Sequence, residues 1–332
     1  MQENPGPHLP YGAQPPGYPP YYQAPPPPSW FLPTPHGARY DHLARNAAAR
    51  PWRAILGTLI VAVGFFVIGI VVVYAGLVLA AILGIPAPLA PTGDLFGDPV
   101  FGLVVVLLSI APVLALVLGT AALVQRRRPG TLSSVAGRLR WSWLLSCAGL
   151  AIVALVLGQG TQLLALSLTG ASSDDMFGWS GWGVFLPAMI VIVLLVPFQA
   201  AAEEYIFRGW LVQAVGAHVS SPVWAIFLGS ALFASLHGYS WIGLVDVFAF
   251  GAVMAWLAVR TGGLEAPIAL HVMNNMLAFG LSAAAGQLDD ALNQGKVPVP
   301  WQALAGTVVQ LGVYAWGALY LAKKRSISTV SE

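Results

Sequence analysis

Residues 184–217 read VFLPAMIVIVLLVPFQAAAEEYIFRGWLVQAVGA, and this stretch decides the fold. Val184 to Ala202 run for 19 residues without a charge, close to the ~20 helical residues that cross a hydrocarbon core of ~30 Å. Glu203, Glu204 and Arg208 then follow inside the same apolar run. A charge at mid-bilayer costs roughly 2.5–3.5 kcal/mol on insertion scales, so three of them in one span mark a polar locus that the chain retains for a reason.

The rest of the chain agrees with that reading. Of its 332 residues 57% are hydrophobic and only 8% charged, against roughly 25% charged in soluble domains. With 15 Lys and Arg and 13 Asp and Glu, no surface enclosing this much apolar sequence stays wet, so lipid is the solvent for most of it. The net charge of +2 gives no footprint for nucleic acid, and a lone cysteine, Cys147, excludes a disulfide framework or a Cys-based metal cluster.

Apolar segments long enough to span lie at about 54–84, 100–124, 142–169, 184–217, 222–238, 242–259, 265–286 and 301–322. They predict an all-α polytopic membrane helix bundle of about eight transmembrane helices. Arg39, Arg45, Arg50 and Arg53 precede the first segment, Arg126, Arg127, Arg128, Arg138 and Arg140 follow the second, Arg260 follows the sixth, and Lys323, Lys324 and Arg325 close the last. The alternate loops hold Asp94, Asp98, Asp174, Asp175, Asp289 and Asp290, with Lys296 their only base. The positive-inside rule then places both termini in the cytoplasm of a multi-pass protein of the plasma membrane.

Met1 to Pro35 carry half of the 26 prolines, with Tyr11, Tyr18, Tyr21 and Tyr22 and few aliphatic residues. Such composition cannot bury a core, so residues 1–50 are expected to be a disordered cytoplasmic tail, a docking place for a partner being the minor alternative. Residues 51–140 hold the first two helices and a basic cytoplasmic loop, 141–322 the core, and 323–332 a basic cytoplasmic tail.

Downstream, Phe233-Ala-Ser-Leu-His237 and His271-Val-Met-Asn-Asn275 contain the two histidines that fall within predicted spans. Glu204 and Arg208, four residues apart, share a helical face, with Glu203 turned about 100° away. Glu203 and His237 lie equally far either side of position 220, so an antiparallel hairpin sets them at one depth. His271 and Asn275 again share a face. A carboxylate taken out of water is a stronger base, and beside an imidazole it can activate water without a metal or covalent intermediate. Glu203 with His237 is the expected base pair. An imidazole N–H and an amide NH₂, here His271 and Asn275, are suited to stabilise the oxyanion of an attacked carbonyl. Arg208 with Glu204 would support Glu203. The implied reaction is hydrolysis of a peptide bond within the membrane.

Glu-Glu-x-x-x-Arg at 203–208, Phe-x-x-x-His at 233–237 and His-x-x-x-Asn at 271–275, in this order on successive apolar spans, resemble the three motifs of the CPBP intramembrane protease family. That family includes the eukaryotic CAAX prenyl endopeptidase and bacterial proteins like lysostaphin resistance protein A, several of which act in bacteriocin immunity; its members are often labelled metalloproteases. The resemblance covers about residues 140–322. It implies an endopeptidase acting on a membrane-delivered peptide or protein, with Glu203 and His237 activating water, His271 and Asn275 forming the oxyanion hole, and Glu204 and Arg208 supporting them. No cofactor is expected. Three weaker readings stand beside this one: a zinc ion on Glu203, His237 and His271, a rhomboid-like serine at Ser180 in Gly178-Trp-Ser-Gly181, and a membrane scaffold or immunity protein that binds without cleaving. Asp246 is either a structural hydrogen bonder or a wall of the same cavity.

Overall fold

The computed structural model describes residues 29–86, 96–172, 178–293 and 299–332. Most of the Pro/Tyr-rich tail, and Asp94, Asp174, Asp175 and Lys296 of the expected acidic loops, lie outside the described residues. Helices account for all the regular structure described, joined by turns and two isolated bridges, Arg39 with Val330 and Ser134 with Gly263.

The order is α1 (Pro51–Leu83), α2 (Pro99–Ile110), α3 (Val113–Leu123), α4 (Trp141–Leu168), α5 (Trp182–Glu204), a π-helical stretch (Tyr205–Leu211), α6 (Val212–Gly216), α7 (Pro222–Ser235), α8 (Trp241–Thr261), α9 (Glu265–Ala285), α10 (Leu288–Leu292) and α11 (Gln302–Lys324). Two short 3₁₀ turns, Tyr40–His42 and Pro129–Leu132, lie in the connections. Among the described residues, seven helices are long and apolar enough to cross a membrane. The chain is a multi-pass integral membrane protein. The eighth expected segment is α7, whose 14 residues cover about 21 Å at 1.5 Å per residue and stop short of a full crossing.

Local chemistry accounts for the ends and breaks. Prolines open α1, α2 and α7, where a missing N–H leaves nothing unsatisfied. Asp98 Oδ1 accepts from the Phe101 N–H at 2.8 Å and caps α2. Pro112 stands between α2 and α3 and breaks one span into two pieces. Outward faces are apolar: Ile55, Leu59, Val63, Phe66 and Ile70 of α1 are all more than half exposed, as lipid-facing side chains are.

Inside, α5 packs on α9 and α2, α7 on α8, and α4 on α11 and α9. The crossing of α4 and α11 depends on missing side chains. A Cβ on Gly306 would lie 2.7 Å from the Gly158 carbonyl oxygen, and one on Gly158 would lie 2.8 Å from Gln310 Cβ.

One expectation is corrected here. The tail was expected to run to residue 50, but from Phe31 onward the chain is part of the bundle. Tyr40 is fully buried and donates to the Leu132 carbonyl at 2.5 Å. Arg45 donates to the carbonyls of Gly216 and Val219, both at 2.9 Å. Gly37 and Ala38 pair through backbone hydrogen bonds with Ser331. The side chains and carbonyls that receive this segment had no signature in a sequence read for apolar runs. The arginines and the C-terminal residues 330–331 thus gather at one end of the bundle.

Candidate active site

The long helix that runs from Trp182 to Gly216 carries the first motif where its geometry changes. Glu203 and Glu204 end α5, and the π-helical turn begins at the next residue. A π turn widens the backbone spiral and re-aims the side chains on it, a feature that recurs at functional sites. Glu204 is fully buried and Arg208 is 1% exposed, and Arg208 Nη1 donates to Glu204 Oε1 at 2.9 Å. Glu203 lies on a different face, at the edge of a cavity.

The histidine of α9 joins the two glutamates. His271 Nδ1 lies 2.7 Å from Glu204 Oε1, and its Nε2 lies 3.4 Å from Glu203 Oε2. Glu204 Oε1 also accepts from Arg208, so it is the acceptor and Nδ1 carries the hydrogen; Nε2 is the nitrogen presented to Glu203. Arg208, Glu204, His271 and Glu203 form a continuous buried chain in which a guanidinium and an imidazole alternate with two carboxyl groups. The Arg208 guanidinium carbon also lies 4.1 Å from the centre of the Phe233 ring, a cation–π contact in a dry site. Gly251 of α8 makes room for it, since a Cβ there would sit 3.1 Å from Arg208 Nη2.

His237 stands just past the end of α7. Its Nδ1 lies 2.8 Å from the Phe233 carbonyl oxygen and donates to it, which commits that nitrogen and leaves Nε2 as the other end of the ring. Phe233 packs edge-on against both His237 and His271, at 4.7 and 5.9 Å between ring centres. Phe233, which opens the second motif, thus touches the arginine and both imidazoles. Asn275 Nδ2 donates to Gln199 Oε1 of α5 at 3.2 Å, which leaves its second N–H without an acceptor among the described residues.

The expected pairing of Glu203 with His237 is not the one the structure makes. Glu203 meets His271, and His237 faces it across the cavity without an ion pair. Equal spacing from a turn does not fix direction around the helix axis, and α5 packs on α9.

All three motifs open on one cavity of about 420 Å³, lined by Glu203, His237, His271 and Asn275 together with Gln199 and Tyr239. Along α9 the lining includes His271, Asn275, Ala278 and Ser282 on one helical face, flanked by Asn274 and Phe279, and the cavity continues to Asp290 and Pro300 beyond the helix. It therefore runs from near the arginine-rich end of the bundle toward the opposite end. Tyr239 was missed in the sequence. It lies in the link between α7 and α8, stacks on His237 at 5.8 Å, and its phenol is pushed up by burial and then by the charges of Asp246 and Glu203, so it remains a donor.

A zinc ion does not fit the donors as placed. Both His271 nitrogens face carboxylate oxygens, His237 has one nitrogen committed to a backbone carbonyl, and among the described residues no three His, Cys, Asp or Glu side chains gather as a metal set. Ser180 is also accounted for: its hydroxyl donates to the Ala283 carbonyl at 2.8 Å and its N–H to that of Ala284 at 2.7 Å, ties that hold the start of α5 to the end of α9.

Comparison with known proteins agrees with this arrangement. Residues 182–277 match the family described as type II CAAX prenyl endopeptidase Rce1-like. A curated relative from Bacillus subtilis (strain 168), the uncharacterised protein YyaK, is 29% identical over 152 residues, which is 42% of this chain. The matched part spans half the length of that relative. No solved structure matches significantly. Those boundaries enclose all seven residues of the three motifs, so residues 182–277 of this membrane bundle resemble the Rce1-like family.

Proposed function

We propose that the protein is an intramembrane endopeptidase that hydrolyses a peptide bond of a membrane-delivered peptide or protein with a water activated by Glu203. The observation that carries this reading is the convergence of Glu203, His237, His271 and Asn275, from three separate motifs, on one buried cavity.

The chemistry follows from the geometry. Glu203 takes a proton from the water, and His237, whose side chain lines the same cavity, orients that water through Nε2. The hydroxide attacks the carbonyl carbon. The spare N–H of Asn275 donates to the oxyanion that develops, with Tyr239 as a further donor on the same wall. His271 holds Glu203 in place rather than serving the oxyanion, because both its nitrogens are turned to carboxylates. Collapse of the tetrahedral species breaks the C–N bond, and the proton on Glu203 passes to the leaving amine. Arg208 and Glu204 anchor the chain from behind. No step needs a metal or cofactor, so cleavage that survives exhaustive chelation is the expected behaviour.

The basic end of the bundle, with the arginines and the packed N- and C-terminal segments, is assigned to the cytoplasm of the plasma membrane. The cavity then opens toward the other face. A cysteine at Asp290 should react with a membrane-impermeant maleimide in intact cells while one at Val330 should not; the reverse pattern would invert the assignment.

The test of activity is comparative proteomics of membrane peptides from cells with the wild-type or the Glu203→Gln protein. Gln keeps shape and hydrogen bonding but cannot take the proton, and a fall in cleavage of about 10²–10⁴-fold is expected, with His237→Ala comparable. A biological effect unchanged in both variants would favour the scaffold or immunity reading.

A further inference from the structure

The cavity has two lobes. The larger contains Glu203 and Gln199, with apolar side chains such as Leu107, Ile110 and Phe279 in its wall. The smaller, of about 240 Å³, is lined on its far side by Asp246, Thr307 and Gln310. The two share His237, Tyr239, His271, Asn274 and Asn275 as a common wall. A peptide lying over the motif residues therefore reaches into both.

Asp246 is the group in the smaller lobe that the reaction does not use. It comes from the second turn of α8, and its Oδ1 is buried and accepts no hydrogen bond among the described residues. Thr307 of α11 hydrogen-bonds this carboxyl group, and its hydroxyl also reaches the Ala303 carbonyl at 3.2 Å, so Oδ1 is the oxygen left over. Gln310 Nε2 is turned to Asn274 Oδ1, at 3.3 Å. Among the described residues no Lys or Arg lines either lobe, while Glu203 and Asp246 do, and Asp290 stands where the larger lobe ends. Tyr239, protonated between two carboxylates, adds no positive charge.

A carboxylate held out of water without a counter-charge is poorly solvated, and a cleft of one sign in a low-dielectric wall concentrates ligands of the other. We infer that Asp246 is a specificity determinant: the smaller lobe receives a protonated amine or guanidinium of a lysine or arginine in the peptide substrate, close to the bond that is cut. The same field disfavours a free C-terminal carboxylate near that bond, so the substrate is cut at an internal position of a cation-bearing segment. The words substrate and bond rest on the endopeptidase reading above. The cation site itself does not.

The experiment uses the full chain carrying Glu203→Gln, in nanodiscs of neutral phosphatidylcholine so that lipid charge contributes nothing. The probes are apolar decapeptides with a neutral fluorophore, N-acetylated and C-amidated, with one Lys walked through successive positions, each beside a counterpart carrying Nε-acetyl-lysine. At one position or a neighbouring pair the Lys peptide should bind roughly tenfold tighter or more than its acetylated counterpart. That ratio should fall to near one when Asp246→Asn is added, and also when Gln310→Lys places a competing cation in the lobe. Freeing the peptide's C-terminal carboxylate should not tighten binding. Equal binding of the two series at every position, or a lysine preference that survives both substitutions, overturns the inference. Wild-type protein is then given the same peptides. Lysine-selective binding with no cleavage would leave the cation site standing and remove the endopeptidase reading, whereas cleavage with no lysine preference would do the opposite. The comparison of Lys with acetyl-lysine needs no change at Asp246, so it decides the matter even if Asp246→Asn fails to fold.

Discussion

Two buried arginines belong to or touch the same long helix, and they are held in opposite ways. Arg208 is bound to the carboxylate of Glu204 and covered by the Phe233 ring, next to the cavity. Arg127, 2% exposed, lies beside the helix's last turn and meets only neutral oxygens: Gln125 Oε1 at 2.6 Å, Thr131 Oγ1 at 3.2 Å, and Gln213 Oε1. Burial with no carboxylate partner among the described residues lowers its pKa to about 10. The first arginine fixes a carboxylate that in turn fixes His271. The second joins the Gln125–Thr131 connection to the helix by hydrogen-bond count alone. Arg208 is held by an ion pair, Arg127 by neutral acceptors.

The largest test of that contrast is Glu204→Ala, which strands Arg208 and His271 together in a dry interior. A loss of about 3–5 kcal/mol of stability is expected, read as a collapse of the melting temperature in detergent. Glu204→Gln keeps a hydrogen-bond acceptor and should lose less. If Glu204→Ala melts like the wild type, the chain of charges is not what holds this part of the bundle.

Arg127→Met should be milder, about 1–3 kcal/mol, because the glutamines lose a partner while a charge that burial disfavours is removed. A loss as large as that of Glu204→Ala would erase the distinction between the two arginines.

The smallest effect belongs to His42, also at the basic end. Its pKa lies below 6.5, chiefly because burial disfavours the imidazolium, with Arg45 and Arg39 adding to this and Asp41 opposing it. The unfolded chain therefore takes up the proton first, and His42 makes no difference at pH 7.5 but becomes unfavourable to folding as pH falls below about 6.5. The melting temperature of the wild type should drop slightly more than that of His42→Gln between pH 7.5 and 5.5. Parallel curves would show that the imidazole does not titrate in that window.

Much of this was written in the sequence because lipid makes apolar length and intramembrane charge easy to read. Each of the eight apolar segments became a helix, and the four-residue spacing of Glu204 and Arg208 foretold their pair. What was illegible depended on features without a periodic signal. The π turn after Glu204 adds no unusual residue to the string. The partner of Glu203 was decided by how α5 and α9 rotate against each other, which spacing within either helix cannot report. Tyr239 lies in a five-residue link with no pattern of its own. The segment 31–50 looked like more of the proline-rich tail, and it is ordered by side chains and carbonyls from four distant parts of the chain.

The shortness of α7 has a consequence for the lipid itself. Val223, Trp224, Phe227, Leu228 and Leu232 are its outward apolar side chains, a wall that reaches about 21 Å where the bilayer offers ~30 Å of hydrocarbon. Acyl chains beside this flank must compress or tilt to meet it, so the protein carries its own dimple in the membrane. On the proposed endopeptidase reading, such thinning would lower the barrier for a polar peptide to slide sideways toward His237, which stands just past the end of the short helix. Host membranes of different thickness would then set how readily the site is reached, with no change in the protein.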